Sequence, residues 1–130
     1  MFPDDDFTDA FCAFLQSSIT TVDAAELLLV LYEQPQRAWS TSDLLAASAP
    51  GANLTEAEVA RYVDVFEQQG LVVREADERV RYRPEPELHA HVQTLSRLYN
   101  ERPVTLFRVI YALRDSKIKT LADAFRFWRK

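Results

Sequence analysis

The sequence predicts a mainly α-helical domain that contains one small β-hairpin. Its 130 residues are most simply a single domain, residues 1–130, and an apolar share of 48% is enough for a core. Glycine occurs only twice, whereas alanine and leucine are frequent, and this balance favours helix over strand. The stretches LVVRE and RVRYR are rich in β-forming residues and flank the short turn ADE, which predicts the hairpin.

Composition also limits the class of protein. The longest apolar run, residues 27–32, is far shorter than the roughly 20 residues needed to cross a bilayer. The acidic start MFPDDDFTDA lacks the basic residues of a signal peptide. A single cysteine, Cys12, cannot form an internal disulfide, and two glycines are too few for a glycine-rich phosphate loop. We therefore expect a soluble cytoplasmic protein.

The net charge of −5 is unevenly distributed along the chain. Residues 1–36 hold seven acids and no lysine or arginine, and residues 37–70 hold five acids and two arginines. Residues 71–130 hold eight acids and thirteen bases, which makes this part positive. A negatively charged partner is therefore expected to contact the second half of the chain, and a positively charged partner the first.

The first two helices follow from apolar spacing. We predict a short helix over residues 7–16 and a second helix, Val22–Glu33, which Thr21 caps and Pro35 ends. The first helix carries its apolar residues at helical intervals: Phe7, Phe11, Phe14 and Leu15. The second contains AAELLLVLY, which is apolar almost all round, so we expect it to be central and buried.

Capping residues predict the next two helices. RAWS, residues 37–40, is long enough only for a minimal strand. Ser40 and Asp43 resemble a capping box and open a short helix, TSDLLAAS, which PGAN, residues 50–53, ends. Thr55 and Glu58 form a full capping box for the following helix. This helix stops at Gly70, which we predict to be the left-handed residue after the last turn.

The second half of the chain contains the hairpin and a long apolar stripe. Alternation in the second strand puts Val80 and Tyr82 on one face and the hairpin arginines on the other. Pro84 and Pro86 begin another helical region. Its apolar residues step by three, four or seven: Leu88, Val92, Leu95, Tyr99, Leu106, Ile110 and Leu113. The phase continues across Pro103, so we expect one helix kinked there or two nearly collinear helices. Asp115-Ser116 breaks the pattern, and residues 121–128 form a last short helix.

This order of elements resembles the winged helix-turn-helix fold of small bacterial regulators of the MarR and PadR type. The resemblance covers roughly residues 20–100 and rests on Trp39-Ser40 leading into LLAAS, on LTEAEVARYVDVFEQQGLV and on VREADERVRYRP. The ending IKTLADAFRFWRK, after a YxERxV-like stretch that begins at Tyr99, is similar to an uncharacterised bacterial winged-helix group with an ADAFR-like segment. The resemblance implies a winged-helix core over about residues 20–84, with added N- and C-terminal helices and a helical extension over about residues 85–130.

The resemblance implies a homodimeric, DNA-binding transcriptional regulator. In such proteins the third core helix enters the major groove and the wing, which is the hairpin, contacts phosphate or the minor groove. The groove contacts would be Arg61 and Gln68, and the phosphate contacts Arg74, Arg79, Arg81 and Arg83. The apolar stripe would form the dimer interface through Leu88, Val92, Leu95, Tyr99, Leu106 and Ile110.

The charges of the same residues support an alternative. The groove helix carries one arginine against Glu56, Glu58, Asp64 and Glu67, which makes it a poor generic binder of duplex DNA. Arg61 can pair with Asp64 on the helix surface, and the hairpin arginines can pair with the acids of the same hairpin, Glu75, Asp77 and Glu78. The alternative function is a protein–protein adaptor that uses a winged-helix scaffold without binding DNA.

Other residue patterns indicate neither an enzyme nor a cofactor. No set of nucleophile, base and orienting residue is evident, and His89 and His91, two apart on a helix, do not share a face for a metal. Cys12 is expected to be a small core residue. Aromatic residues can line a small-molecule pocket or simply the core: Tyr32, Trp39, Tyr99 and Tyr111. The basic, aromatic C-terminal tail either binds an acidic partner or docks through Leu121, Phe125 and Trp128.

Overall fold

The structure, a computed structural model, describes residues 6–48 and 54–114. Over these residues the chain is mainly helical and contains a small three-stranded antiparallel sheet, as the sequence predicts at this level. The elements in chain order are α1 (Asp9–Ser18), α2 (Val22–Glu33), β1 (Ala38–Trp39), α3 (Thr41–Ala47), α4 (Glu56–Gln68), β2 (Val72–Arg74), β3 (Val80–Tyr82), α5 (Pro86–Glu101) and α6 (Pro103–Leu113).

The sheet has the strand order β1-β3-β2, so the predicted hairpin is confirmed and gains a third strand. In β1, Trp39 lies opposite Val80 of β3, and in β2, Val73 lies opposite Arg81. Val80 and Tyr82 are buried on one face while Arg81 is only half-buried, as the predicted alternation requires. The minimal strand predicted at RAWS is therefore real, and its partner is the far arm of the hairpin.

Side-chain caps define where the helices begin. Thr8, Thr21 and Ser40 each accept a hydrogen bond from a backbone N–H in the first turn of α1, α2 and α3. The predicted capping box of α4 is present: Glu58 N–H donates to the Thr55 hydroxyl at 3.1 Å, and Thr55 N–H donates to the Glu58 carboxylate at 3.0 Å. Because Thr8 caps α1, the helix starts at residue 9 and not at residue 7.

The end of α4 sets the course of the hairpin. Gly70 has φ +81°, a left-handed conformation that favours glycine, as predicted for the residue after the helix. Leu71 N–H donates to the Phe66 carbonyl at 2.9 Å, and Gly70 N–H donates to the Glu67 carbonyl at 3.1 Å. These two bonds satisfy the last carbonyls of the helix and turn the chain directly into β2.

The long C-terminal helical region is divided in two. Arg102 has φ −139° and ψ 55°, which interrupts the helix between α5 and α6. Pro103 then occupies the first position of α6, where the missing N–H carries no cost. The break therefore lies one residue before the proline. The break predicted at Asp115-Ser116 and the helix predicted over residues 121–128 lie outside the described residues, as does the PGAN turn after α3.

The predicted dimer stripe forms part of the core of this chain. Val92, Leu95, Leu106 and Ile110 are at most 1% exposed, and α5 and α6 pack against α1 and α2. Leu88 and Tyr99 are partly buried against the same core. Val92, Leu95, Leu106 and Ile110 are thus covered within one subunit and do not form an exposed seam, which corrects their assignment to a subunit interface. Leu88 and Tyr99 are covered only in part. The homodimer itself stays a prediction.

Cys12 and the histidines have structural surroundings. Cys12 is buried in the core, as predicted, and burial raises the pKa of its thiol to about 12, with a smaller contribution from the Asp9 carboxylate. His89 shares a hydrogen bond of 2.9 Å with the Tyr82 hydroxyl, while His91 stacks on Phe14. Within residues 6–48 and 54–114, no three His, Cys, Asp or Glu side chains are grouped to hold a metal ion.

No single helix in the described part of the chain is both long enough and apolar enough to cross a membrane. The helices α1 and α2 together reach the necessary apolar length, but they meet at 98°.

Candidate functional site

The outer face of α4 is the surface on which the sequence places its first functional residues. Val59, Val63 and Phe66 point into the core, as predicted from their spacing. The opposite side of the helix is exposed to solvent, with Arg61 and Gln68 among its residues. Exposed carboxylates lie on the same helix: Glu56, Asp64 and Glu67. The face is accessible, and most of its charged groups are acidic.

Arg74 of β2 lies against these acids and does not project freely from the hairpin. Its Nε donates to Glu67 Oε1 at 3.1 Å, and its Nη2 donates to Asp64 Oδ1 at 3.1 Å. Its Nη1 reaches the Glu78 carbonyl at 3.3 Å and lies 3.9 Å from the Glu78 carboxylate. With 27% of its side chain exposed, Arg74 joins the hairpin to α4 through Asp64 and Glu67, and its third acidic neighbour, Glu78, belongs to the hairpin.

Two further hairpin arginines also have acidic neighbours. Arg81 Nε lies 3.0 Å from Glu75 Oε2, and Arg79 Nε lies 3.7 Å from Asp77 Oδ2. Three of the four arginines predicted to contact phosphate are therefore neutralised within the hairpin or by α4. The pairs of Arg79 and Arg81 within the hairpin are those that the alternative interpretation of the sequence expects, and the pairs of Arg74 with α4 are additional.

Arg61 and Arg83 remain as exposed cations. Neither forms an ion pair in the part of the chain that the structure describes. The predicted surface pair between Arg61 and Asp64 is not formed, since Arg74 occupies the Asp64 carboxylate. Of the six predicted DNA contacts, Arg61, Gln68 and Arg83 are thus accessible, and the three paired arginines are engaged with acids.

We define the α4–hairpin face as the exposed side chains of residues 54–85. This segment contains eight acids and five arginines, which gives it a net charge of −3. Oppositely charged neighbours cancel at short range, so the excess carboxylates determine the field felt by an approaching molecule. The face therefore carries an excess of negative charge.

The aromatic residues predicted as a possible pocket lie in different surroundings. Tyr32 packs edge-on against Tyr82, with ring centroids 5.7 Å apart. Trp39 is buried in the core beneath the guanidinium of Arg37, whose central carbon is 3.7 Å from the centre of the Trp39 ring. Tyr111 is exposed on α6. The four residues do not line a common cavity.

Tyr99 borders an open cleft of about 220 Å³ between α2 and α5, which Glu26 and Glu33 also line. The Tyr99 hydroxyl donates to Glu26 Oε2 at 2.7 Å. Burial raises the pKa of Tyr99 to about 12, and the bond to Glu26 adds to this shift. The cleft is open to solvent, and the Tyr99 hydroxyl already occupies the Glu26 carboxylate. The cleft therefore has the character of a surface groove.

The chain matches no known family model, no characterised protein and no solved structure at a significant level. The resemblance to MarR- and PadR-type regulators therefore stays a prediction. Sequence reasoning missed the contact of Arg74 with α4, because the partners are seven and ten positions away and meet only through the turn at Gly70. Glu67 and Arg74 on either side of a predicted helix end were the available signal.

Proposed function

We propose that the chain is a protein-interaction module on a winged helix-turn-helix scaffold, and that its α4–hairpin face binds a cationic segment of a partner protein. The scaffold is supported by the order of helices and by an antiparallel sheet of order β1-β3-β2 next to α4. The observation that carries the function is that Arg74 is already paired with Asp64 and Glu67. The face keeps an excess of acid after this pairing.

Net charge and not the strength of the ion pairs favours this function over DNA binding. An exposed ion pair contributes only about 0–1 kcal/mol, so phosphate could displace the carboxylates from a single arginine. Those carboxylates would nevertheless remain beside the phosphates, because they belong to α4 and the hairpin themselves. Binding of duplex DNA depends on neutralising phosphate with excess cations, and this face has an excess of anions.

A cationic partner meets suitable chemistry on the same face. The carboxylates of Asp64 and Glu67 are 61% and 40% exposed, so each can accept further hydrogen bonds while it contacts Arg74. We therefore expect the partner to present lysine or arginine side chains to these carboxylates.

The test is binding of a fluorescently labelled peptide of alternating lysine and alanine, followed by anisotropy at low salt. The double variant Asp64→Asn with Glu67→Gln should weaken binding about three- to tenfold, because each exposed charge contributes up to ~1 kcal/mol. The control, Glu33→Gln with Glu87→Gln, makes the same change in net charge elsewhere and should bind like the parent chain. Equal weakening by both pairs would show that only total charge matters and would reject the site.

A second candidate function is the DNA-binding regulator that the resemblance implies. Arg61 and Arg83 favour it, since they are the exposed, unpaired arginines of the described α4 and hairpin. For this candidate, generic duplex DNA binds at low salt, and binding falls steeply with added salt and after Arg61→Glu with Arg83→Glu. A chain that binds the lysine peptide and fails to bind duplex DNA at low salt excludes it.

A further inference from the structure

The outer side of α6 is an exposed apolar surface. Of the large apolar residues in the described chain, three are exposed: Val73 at 38%, Val104 at 62% and Tyr111 at 56%. Val104 and Tyr111 are seven positions apart on α6, so they lie on the same side of the helix, two turns from each other. The opposite side of α6 packs into the core through Leu106 and Ile110. The exposed pair is therefore not left over from a loosely packed helix end.

The same side of α6 is cationic. Arg108 lies between Val104 and Tyr111 and is exposed, and the guanidinium of Arg114 is 5.8 Å from the centre of the Tyr111 ring. Residues 103–114 contain no aspartate or glutamate. We call Val104, Arg108, Tyr111 and Arg114 the α6 face. It combines apolar contact area with positive charge and lacks any acid of its own.

The α4–hairpin face has the complementary charge, with exposed carboxylates at Asp64 and Glu67. The two faces belong to different parts of the fold, because α6 packs chiefly against α1 and α5, whereas α4 packs chiefly against α3 and β2. We infer that the α6 face of one chain docks on the α4–hairpin face of a second copy, head to tail. This inference rests on the proposed function, in which the α4–hairpin face binds cationic segments.

The alternative arrangement, in which two α6 faces pair about a twofold axis, is less favourable. It would bring the cationic side chains of both copies together with no acid between them. In the head-to-tail contact the arginines of the α6 face meet carboxylates of the other copy. This contact is expected to be weak and sensitive to salt.

A head-to-tail contact leaves one free face of each kind on every pair, so it can extend to further copies. This property gives a specific test by sedimentation velocity of the full chain. The parent chain should sediment faster as its concentration rises at low salt, and this change should disappear at high salt. Val104→Ser with Arg108→Glu removes the α6 face, and Asp64→Asn with Glu67→Gln removes the acidic face. Each variant alone should associate about three- to tenfold more weakly than the parent chain.

An equimolar mixture of the two variants supplies the decisive result. Each retains the face that the other lacks, so the mixture should form a heterodimer that does not grow further. A parent chain that is monomeric throughout overturns the inference, and so does a mixture that stays monomeric while the parent chain associates. All four substituted residues are exposed, and circular dichroism verifies that each variant is folded. Arg108→Gln repeats the test with a smaller change.

Binding of the lysine peptide separates this inference from the proposed function. The Val104→Ser with Arg108→Glu variant should bind the peptide like the parent chain, because its acidic face is intact. Peptide binding without self-association rejects the head-to-tail contact alone. Absence of both rejects the proposed function as well.

Discussion

At the scale of single residues, Arg74 decides how the surface is interpreted. Strand alternation places Arg79, Arg81 and Arg83 on one face of the hairpin, whereas Arg74 lies opposite Val80 in the register and so on the other face. The direction of a long side chain also depends on which charges are within reach. Because Gly70 turns the chain back along α4, Asp64 and Glu67 lie within hydrogen-bonding distance of the Arg74 guanidinium. Arg74, which the sequence assigns to phosphate binding, therefore connects the hairpin to α4 by hydrogen bonds in the structure.

Asp6 provides a prediction about pH. Its carboxylate accepts hydrogen bonds from Arg97 of α5, and this pairing holds the pKa of Asp6 below its ordinary value of 3.8. A pKa that is lower in the folded chain stabilises the fold above the unfolded value, and this stabilisation is lost as pH falls through the folded pKa. Arg97→Gln should therefore lower the free energy of unfolding near neutral pH, and this loss should become smaller as pH falls below about 3.8.

Urea unfolding at several pH values measures this effect. Arg108→Gln is the control, because Arg108 is exposed and forms no ion pair in the described residues, so its effect on stability should not vary between those pH values. If Arg97→Gln has the same effect at acidic and neutral pH, the ion pair with Asp6 does not contribute to the stability of the folded chain.

Among the elements, the end of α4 at Gly70 is sensitive to a small substitution, because adding a single methyl group there is expected to lower the free energy of unfolding. An alanine there must adopt φ +81°, and its Cβ would lie 2.7 Å from the Glu85 carboxylate, which can move aside. The left-handed backbone costs an L-residue roughly 1–2 kcal/mol, so Gly70→Ala should lower the free energy of unfolding by about that amount. Gln68→Ala, at an exposed position of the same helix, should change it by less than about 0.5 kcal/mol. Denaturant titration compares the two, and equal stability of Gly70→Ala and the parent chain would contradict this assignment of the helix end.

The elements that could be predicted are those determined by neighbouring residues. The start of α2 after Thr21, the capping box of Thr55 with Glu58 and the end of α4 at Gly70 depend on contacts within a few positions, so the sequence contains the whole signal. The pairing of β1 with β3 joins residues more than forty positions apart, and the minimal strand did not indicate its partner. The break at Arg102 was predicted at the adjacent Pro103, because a proline indicates the region in which a helix is interrupted and not the exact residue.

At the scale of the whole molecule, the apolar stripe of α5 and α6 illustrates what periodicity leaves open. Helical spacing identifies the side that is covered, but it does not say whether the cover is the same chain or a second one. Here α1 and α2 provide it. The predicted seam was thus the right set of residues with a different partner, and the exposed pair of Val104 and Tyr111 on the other side of α6 was not singled out.

Leu95 tests this assignment. Its side chain is fully buried, so Leu95→Ala should lower the free energy of unfolding by about 2–5 kcal/mol through lost contacts and a cavity. The unfolding midpoint of the variant and of the parent chain should not depend on protein concentration at high salt. Val104→Ala, at an exposed position, should cost less than about 0.5 kcal/mol. A midpoint that rises with protein concentration would return the stripe to a subunit interface, because association would then contribute to stability.

The distribution of charge over the molecule joins the two proposals. The α4–hairpin face is acidic, with three of its five arginines paired, and the α6 face is cationic and apolar. The sequence supplies the net charge of each face, and the structure shows which of its charges are paired with neighbours in the same chain.

Amide chemical-shift mapping by NMR tests this central claim most directly. The labelled chain is titrated at low salt with the lysine–alanine peptide and, in a separate sample, with a short generic DNA duplex. We predict that the peptide shifts amides clustered on α4 and the hairpin, around Asp64, Glu67 and Arg74, and that the duplex shifts none of them. Duplex-induced shifts centred on Arg61 and Arg83, with peptide shifts scattered over the surface, would contradict the account.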